Sequence, residues 1–60
     1  MKIISKWVWI VRCLGDRPTI RIAASDVKEA TQLFENGFPD AIIRELIRDD
    51  DVGTIIVAVL

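Results

Sequence analysis

The segment SKWVWIVRC, residues 5–13, decides how this chain folds. Its β-branched and aromatic side chains, with Ile3 and Ile4 before them, predict a first strand over residues 3–13, in which successive side chains point to opposite faces of a sheet. One face then has no charge and comprises Ser5, Trp7, Trp9, Val11 and Cys13. The other face is mixed and comprises Ile4, Lys6, Val8, Ile10 and Arg12. If the two indoles point inward, they belong to the core. If they point outward, they form an exposed binding platform.

A second strand, residues 19–24, follows the loop LGDRP. Gly15 can adopt the positive φ of a tight turn, and Pro18 restricts the chain where the loop ends. A two-residue turn at 15–16 pairs Val11 with Ile20, Trp9 with Ile22 and Trp7 with Ala24. It also places Pro18 opposite Cys13, at an edge site where a missing N–H is tolerated. The apolar faces of both strands coincide in this register, whereas a one-residue slip places the indoles beside charged side chains. We therefore predict that both tryptophans face the core.

Two helices are predicted after this hairpin. The first begins at Ser25 or Asp26 as N-cap, with Glu29 placed to complete a capping box. Residues 36–37, Asn-Gly, are expected to end it in a left-handed conformation, with Phe38 folding back on Leu33. The second helix covers residues 39–48, where an apolar stripe at helical spacing opposes charged side chains. The stripe comprises Ile42, Ile43, Leu46 and Ile47.

A final strand, residues 54–60, completes a predicted α+β fold of order β-β-α-α-β. The crossover rule makes this strand parallel to the second one. We predict a three-stranded antiparallel sheet of order 2-1-3, with the first strand central and both helices packed on one face.

The length and composition limit the class of protein. Sixty residues form one small domain, 1–60, and folding at this size buries only about 60% of the surface of the unfolded chain. Cys13 is the only cysteine and there is no histidine, so a disulfide or a zinc site cannot be expected to stabilise the fold. The longest apolar run, residues 55–60, is far below the roughly 20 residues that span a bilayer. We expect a soluble, cytoplasmic protein without a membrane partner.

The face opposite the helices is the candidate binding surface. Its predicted site residues are Lys6, Val8, Ile10, Arg12 and Arg21. A half-solvated sheet normally alternates apolar and polar residues, but the last strand is apolar on both sides, which indicates that this face is covered. An apolar centre with arginine and lysine at its rim is typical of a protein-binding patch. The occupant is a protein partner or a second copy of the chain in a homodimer.

The sequence lacks the signatures of catalysis. It contains no glycine-rich phosphate loop, no Ser/His/Asp set and no spacing of metal ligands. Cys13 has no histidine to activate it and is expected to be a buried small side chain. The acidic cluster at residues 49–51 fits no calcium-loop pattern and is predicted to be a solvated loop. We therefore expect no enzyme activity, no cofactor and no metal site.

The segments KWVWIVRC and TIRIAASDVKEATQLFENG together resemble the compact ββαβ proteins of phages and mobile elements. These include the DpnD/PcfM-like family and small phage inhibitors of bacterial RNA polymerase. The resemblance covers residues 6–37, and the predicted second helix departs from it because those proteins go directly to the last strand. The resemblance implies a non-catalytic inhibitor of a host machine, such as polymerase or a CRISPR effector, that acts in the host cytoplasm.

Two other classes of function stay open. Residues 1–24 carry five basic residues against one acidic residue, and residues 25–60 carry three against eight. A basic hairpin could contact nucleic acid, but inward tryptophans leave no platform for stacking bases, which argues against a nucleic-acid-binding accessory protein. The remaining class is a self-assembling or designed scaffold with no activity of its own.

Overall fold

The computed structural model describes all residues, 1–60, as four strands and one helix in the order β-β-α-β-β. The elements are β1 (Ile3–Cys13), β2 (Ile20–Ala24), α1 (Val27–Gly37), β3 (Ile43–Arg48) and β4 (Thr54–Val59). The predicted α+β class and antiparallel sheet are confirmed. The prediction of three strands and two helices is wrong, because the sheet has four strands and only α1 is helical.

The central strand of the sheet is β1, as predicted. It pairs antiparallel with β2 through residues 7–11, with β3 through residues 9–13 and with β4 through residues 3–7. Backbone groups of Lys2, Val8 and Leu14 all bond to the segment that contains β3 and β4. Since alternate residues of a strand direct these groups to the same edge, β3 and β4 lie end to end along one edge of β1. The other edge holds β2.

The register of the β1–β2 hairpin is the predicted one. Val11 lies opposite Ile20, Trp9 opposite Ile22 and Trp7 opposite Ala24. Gly15 has a φ of 86°, which is the left-handed conformation expected for it. Regular pairing stops at Val11 and Ile20, so Pro18 lies in the loop and not opposite Cys13 in the ladder.

The segment predicted as a second helix, residues 39–48, is not helical: residues 39–42 form a turn and a short connection, and Ile43–Arg48 form β3. A β-bulge explains why its spacing looked helical. Ile43 pairs with Cys13 and Leu46 pairs with Val11, so the extra residue Arg44 shifts the phase and turns both apolar side chains to one face. The spacing of three residues that is typical of a helix therefore occurs here on one side of a strand.

The N-cap of α1 and its end at Gly37 are predicted correctly, but the left-handed conformation expected there is not found. Asp26 is the N-cap, and its carboxylate accepts the Glu29 N–H at 2.8 Å. Gly37 keeps a negative φ inside the helix, since only Gly15 and Gly53 have positive φ. Phe38 donates its N–H to Phe34 at 2.8 Å and stacks on the Phe34 ring with centroids 5.2 Å apart. The predicted contact of Phe38 with Leu33 is therefore replaced by an aromatic pair.

The core lies between α1 and one end of the sheet. Val11, Cys13 and Phe34 form it, and the side chains packed around them are Ile20, Ile22, Ala41, Ile43 and Leu46. Trp7 and Trp9 lie on the same face of β1 as this core, as predicted, but they are only half-buried. The reason is that α1 packs mainly on β2 and does not extend over both indoles.

Candidate protein-binding surface

We define the open face as the side of the sheet opposite α1. The strand registers place on it Ile4, Lys6, Val8, Ile10 and Arg12 of β1, Arg21 and Ala23 of β2, Glu45 and Ile47 of β3, and Ile55 and Ala58 of β4. All five residues predicted from the sequence thus share one face. Ile47 and Ile55 belong with them and were not predicted as site residues.

The centre of the open face is apolar. Val8 is only 8% exposed, although no layer of structure covers this face, and Ile10 is half-buried. Ile47 lies directly opposite Ile10 and is 43% exposed, and Ile55 is similarly exposed opposite Lys6. The aliphatic side chains that a partner can reach are therefore those of Ile47 and Ile55, flanking the predicted centre at Val8 and Ile10.

The three cations of the open face are all paired with carboxylates. Lys6 binds Glu29, and Arg12 binds Glu45 on the neighbouring strand. Arg21 reaches Asp49 with an N–O distance of 3.3 Å. The predicted basic rim is therefore present but electrically compensated, because three positive side chains face three negative ones.

The pair between Lys6 and Glu29 links the sheet to the first turn of α1. The pairing of β1 with β2 ends at Trp7 and Ala24, so the Lys6 side chain reaches past the end of β2 to the helix. The Glu29 carboxylate also accepts the Ser25 N–H at 3.2 Å. The hydrogen bond from Lys6, followed by the one from Ser25, lowers the pKa of Glu29 below its ordinary value of 4.5.

The indoles form a second feature, on the α1 side of the sheet. Trp9 donates its Nε1–H to the Ala24 carbonyl oxygen at 2.9 Å. The Arg48 guanidinium lies over the Trp7 ring, 4.3 Å from its centroid, and is held by Asp50 at 2.6 Å. Because Arg48 occupies the face of Trp7, this ring is not free for a stacked base.

The remaining predicted chemical groups have structural surroundings. Cys13 is buried against the core. One Asp49 oxygen accepts the N–H groups of Asp51 and Val52, so the acidic cluster forms the turn before β4, where Gly53 has a φ of 72°. The structure has no pocket and no convergent set of three metal-ligating side chains. No helix is long and apolar enough to cross a membrane.

Comparison with known proteins gives no match to this chain among protein-family models, curated sequences or solved structures.

Proposed function

We propose that this chain is a non-catalytic module that binds another protein through its open face. The observation that supports this most directly is the pairing of Lys6, Arg12 and Arg21 with carboxylates around an apolar centre. A protein interface buries aliphatic anchors and keeps charged groups at its rim, where they orient the partner. The exposed anchors for such an interface are Ile47 and Ile55.

The same pairing disfavours nucleic acid as the partner. Binding to phosphates draws its free energy from cations that displace counterions, and a cation already held by a carboxylate contributes less. Of the eight basic side chains, Lys6, Arg12, Arg21 and Arg48 are in ion pairs. Trp7 is covered by Arg48, and the Trp9 indole is bonded to Ala24.

The resemblance of residues 6–37 to compact phage proteins supports a narrower proposal, namely that the partner is a bacterial enzyme complex and that binding inhibits it. RNA polymerase and CRISPR effectors are the two classes that the resemblance implies. The strand β3 directly after α1 is compatible with this proposal, because the resemblance implies a strand and not a second helix at this point.

The test is inhibition of two purified bacterial systems by the wild-type chain: promoter-dependent transcription by RNA polymerase, and target cleavage by a CRISPR effector. We expect inhibition of one of them. Ile47→Asp places a charge beside Ile10 at the centre of the open face and should abolish the inhibition, because desolvating an unpaired charge costs several kcal/mol. Leu33→Asp is the control, because Leu33 is 46% exposed but lies on α1.

Circular dichroism must show that both variants remain folded. Equal loss of inhibition in Leu33→Asp and Ile47→Asp would contradict binding through the open face. Absence of inhibition by the wild-type chain in both systems would refute the narrower proposal.

A further inference from the structure

The strands β1 and β4 extend beyond the rest of the molecule as a two-stranded ribbon. Residues 3–6 of β1 pair only with β4, since β2 and β3 contact residues further along β1. We call residues 1–6 and 54–60 the arm. The molecule is correspondingly elongated, with extents of 42 × 24 × 17 Å. Its radius of gyration is 12.3 Å, against about 10 Å for a compact chain of sixty residues.

The arm is apolar and poorly covered. Half of the fourteen exposed large apolar side chains of the protein lie in it: Met1, Ile3, Ile55, Ile56, Val57, Val59 and Leu60. The chain exposes 4360 Å² in total, whereas a compact protein of 6.8 kDa exposes about 4000 Å². A two-stranded ribbon alone is at best marginally stable in water, so burial of the arm against a partner would stabilise it.

The outer edge of β4 is the free edge best suited to pair with another strand. On that edge β4 has no neighbour, so its outward N–H and C=O groups are available. Proteins usually protect such edges with lysine, proline or charged side chains. The neighbouring strand β3 carries Arg44, Glu45 and Arg48, and β2 carries Arg21, but residues 54–60 contain neither a charged side chain nor proline, and a β-bulge at Val57 is the one protective feature of this edge.

We infer that β4 pairs antiparallel with β4 of a second copy of the chain, joining the two sheets into one. Antiparallel pairing of identical strands has twofold symmetry, which makes the interface self-complementary. About 800 Å² per subunit is buried in a stable interface. The extra surface that this chain exposes, relative to a compact protein of the same mass, is roughly half of that area.

Charge complementarity supports a second copy as the partner. Because Val57 is the extra residue of a β-bulge, the register that pairs β4 with itself and keeps opposite side chains on one face places Thr54 opposite Val59 of the partner subunit. In the chain itself Lys2 and Leu60 exchange two backbone hydrogen bonds, so in this register Lys2 of the partner subunit comes within two strand spacings of Gly53, about 10 Å. Asp51 lies in the turn that enters β4 at this end. Neither Lys2 nor Asp51 has an ion-pair partner within the chain, and each copy offers its Lys2 to Asp51 of the other.

The twofold axis of this pairing is perpendicular to the sheet, so the open faces of the two subunits lie on the same side. The inference therefore goes beyond the proposed function without depending on it, since the edge of β4 and the centre of the open face are separate surfaces. It also means that the dimer presents two copies of the open face side by side to a partner.

Sedimentation equilibrium of the wild-type chain and of two matched variants tests the inference. Ile56 is 62% exposed, points to the α1 side of the sheet and lies in β4, so Ile56→Lys puts like charges near the twofold axis. Ile42 is 63% exposed and lies before β3, so Ile42→Lys is the control. We expect a wild-type dimer at micromolar concentration, a dissociation constant raised at least about tenfold by Ile56→Lys, and no change with Ile42→Lys.

Charge reversal at Lys2 and at Asp51, which both lie outside β4, provides a second test. Lys2→Glu and Asp51→Lys should each weaken the dimer roughly three- to tenfold, because the symmetric interface contains each pair twice, and the double variant should restore it. A wild-type chain that is monomeric at about 100 μM would overturn the inference. Equal dissociation by Ile42→Lys and Ile56→Lys, or a double variant weaker than both single ones, would also overturn it.

Discussion

Phe34 and Val11 are the largest side chains that are completely buried, and they lie against each other in the core. Phe34 reaches the sheet from α1, and Phe38 stacks on its outer side. Few other side chains share this role, because only six of the sixty residues are buried. Single residues of the core therefore account for a large fraction of the stability of the fold.

Truncation of Phe34 is the prediction that tests this dependence. Phe34→Ala leaves a cavity and should cost about 3–5 kcal/mol of unfolding free energy, which is comparable to the whole stability of a domain of this size. Leu33→Ala, at the neighbouring but exposed position, should cost less than about 1 kcal/mol. Urea titrations followed by circular dichroism measure both. Similar costs for the two substitutions would show that Phe34 is not the centre of the core.

The first turn of α1 is the element that ties the helix to the sheet. Asp26 caps the helix by accepting the Glu29 N–H, and the Glu29 carboxylate binds Lys6 of β1 and the Ser25 N–H. One turn thus satisfies free backbone donors and holds the edge of the open face.

This arrangement predicts an acid-sensitive contribution to stability. The pKa of Glu29 is lowered in the folded chain, chiefly by the hydrogen bond from Lys6, so its contribution is present above the ordinary value of 4.5 and is lost as the pH falls through the folded value. In urea titrations the wild-type chain should exceed Glu29→Gln in stability at about pH 6, and this difference should disappear as the pH falls through the folded value. Glu35→Gln is the control, because Glu35 has no hydrogen bond or ion pair through its side chain. A difference between wild type and Glu29→Gln that persists at low pH would contradict this role.

The strand β3 shows how the fold of an element depends on its neighbours. The edge of β1 opposite β2 is free to pair with another strand. At the end of β1 nearest the core, β3 pairs with this edge and satisfies its backbone N–H and C=O groups. The bulge at Arg44 allows this without losing the two apolar contacts of Ile43 and Leu46. Hydrogen bonding to β1 therefore outweighs the helical spacing of the segment.

At the scale of the whole molecule, basic and acidic side chains are concentrated in different parts of the sequence, and the fold brings them together in ion pairs. Residues 1–24 are basic and residues 25–60 are acidic, yet three of the four ion pairs join one segment to the other. The folded surface therefore lacks the concentrated positive patch that residues 1–24 suggest in isolation.

We expect no binding of single-stranded DNA or RNA at physiological salt. Paired cations release few counterions, Arg48 lies over the Trp7 ring, and the Trp9 indole is half-buried and bonded to the Ala24 carbonyl. Fluorescence anisotropy of labelled oligonucleotides at about 0.15 M salt measures this directly, with a repeat at lower salt to detect non-specific attraction. Micromolar or tighter binding at 0.15 M would favour a nucleic-acid-binding protein over the proposed protein-binding module.

Alternation of residue types along the hairpin was sufficient to predict the open face. The register of β1 with β2 follows from one turn and from the match of two apolar faces, so Lys6, Val8, Ile10, Arg12 and Arg21 could be assigned to one side. The capped start of α1 was equally predictable, because a cap depends on residues three or four positions apart.

Contacts between distant segments determined the rest. The sequence of residues 42–48 is compatible with a helix or with a bulged strand, and only the free edge of β1 selects the strand. Ile47 and Ile55 therefore joined the open face only in the folded chain, as did the carboxylates of Glu29, Glu45 and Asp49 that pair with its cations. The physical reason is that turns, caps and alternation are stabilised by near neighbours in the chain, whereas edge pairing and ion pairs depend on which segments the fold brings together.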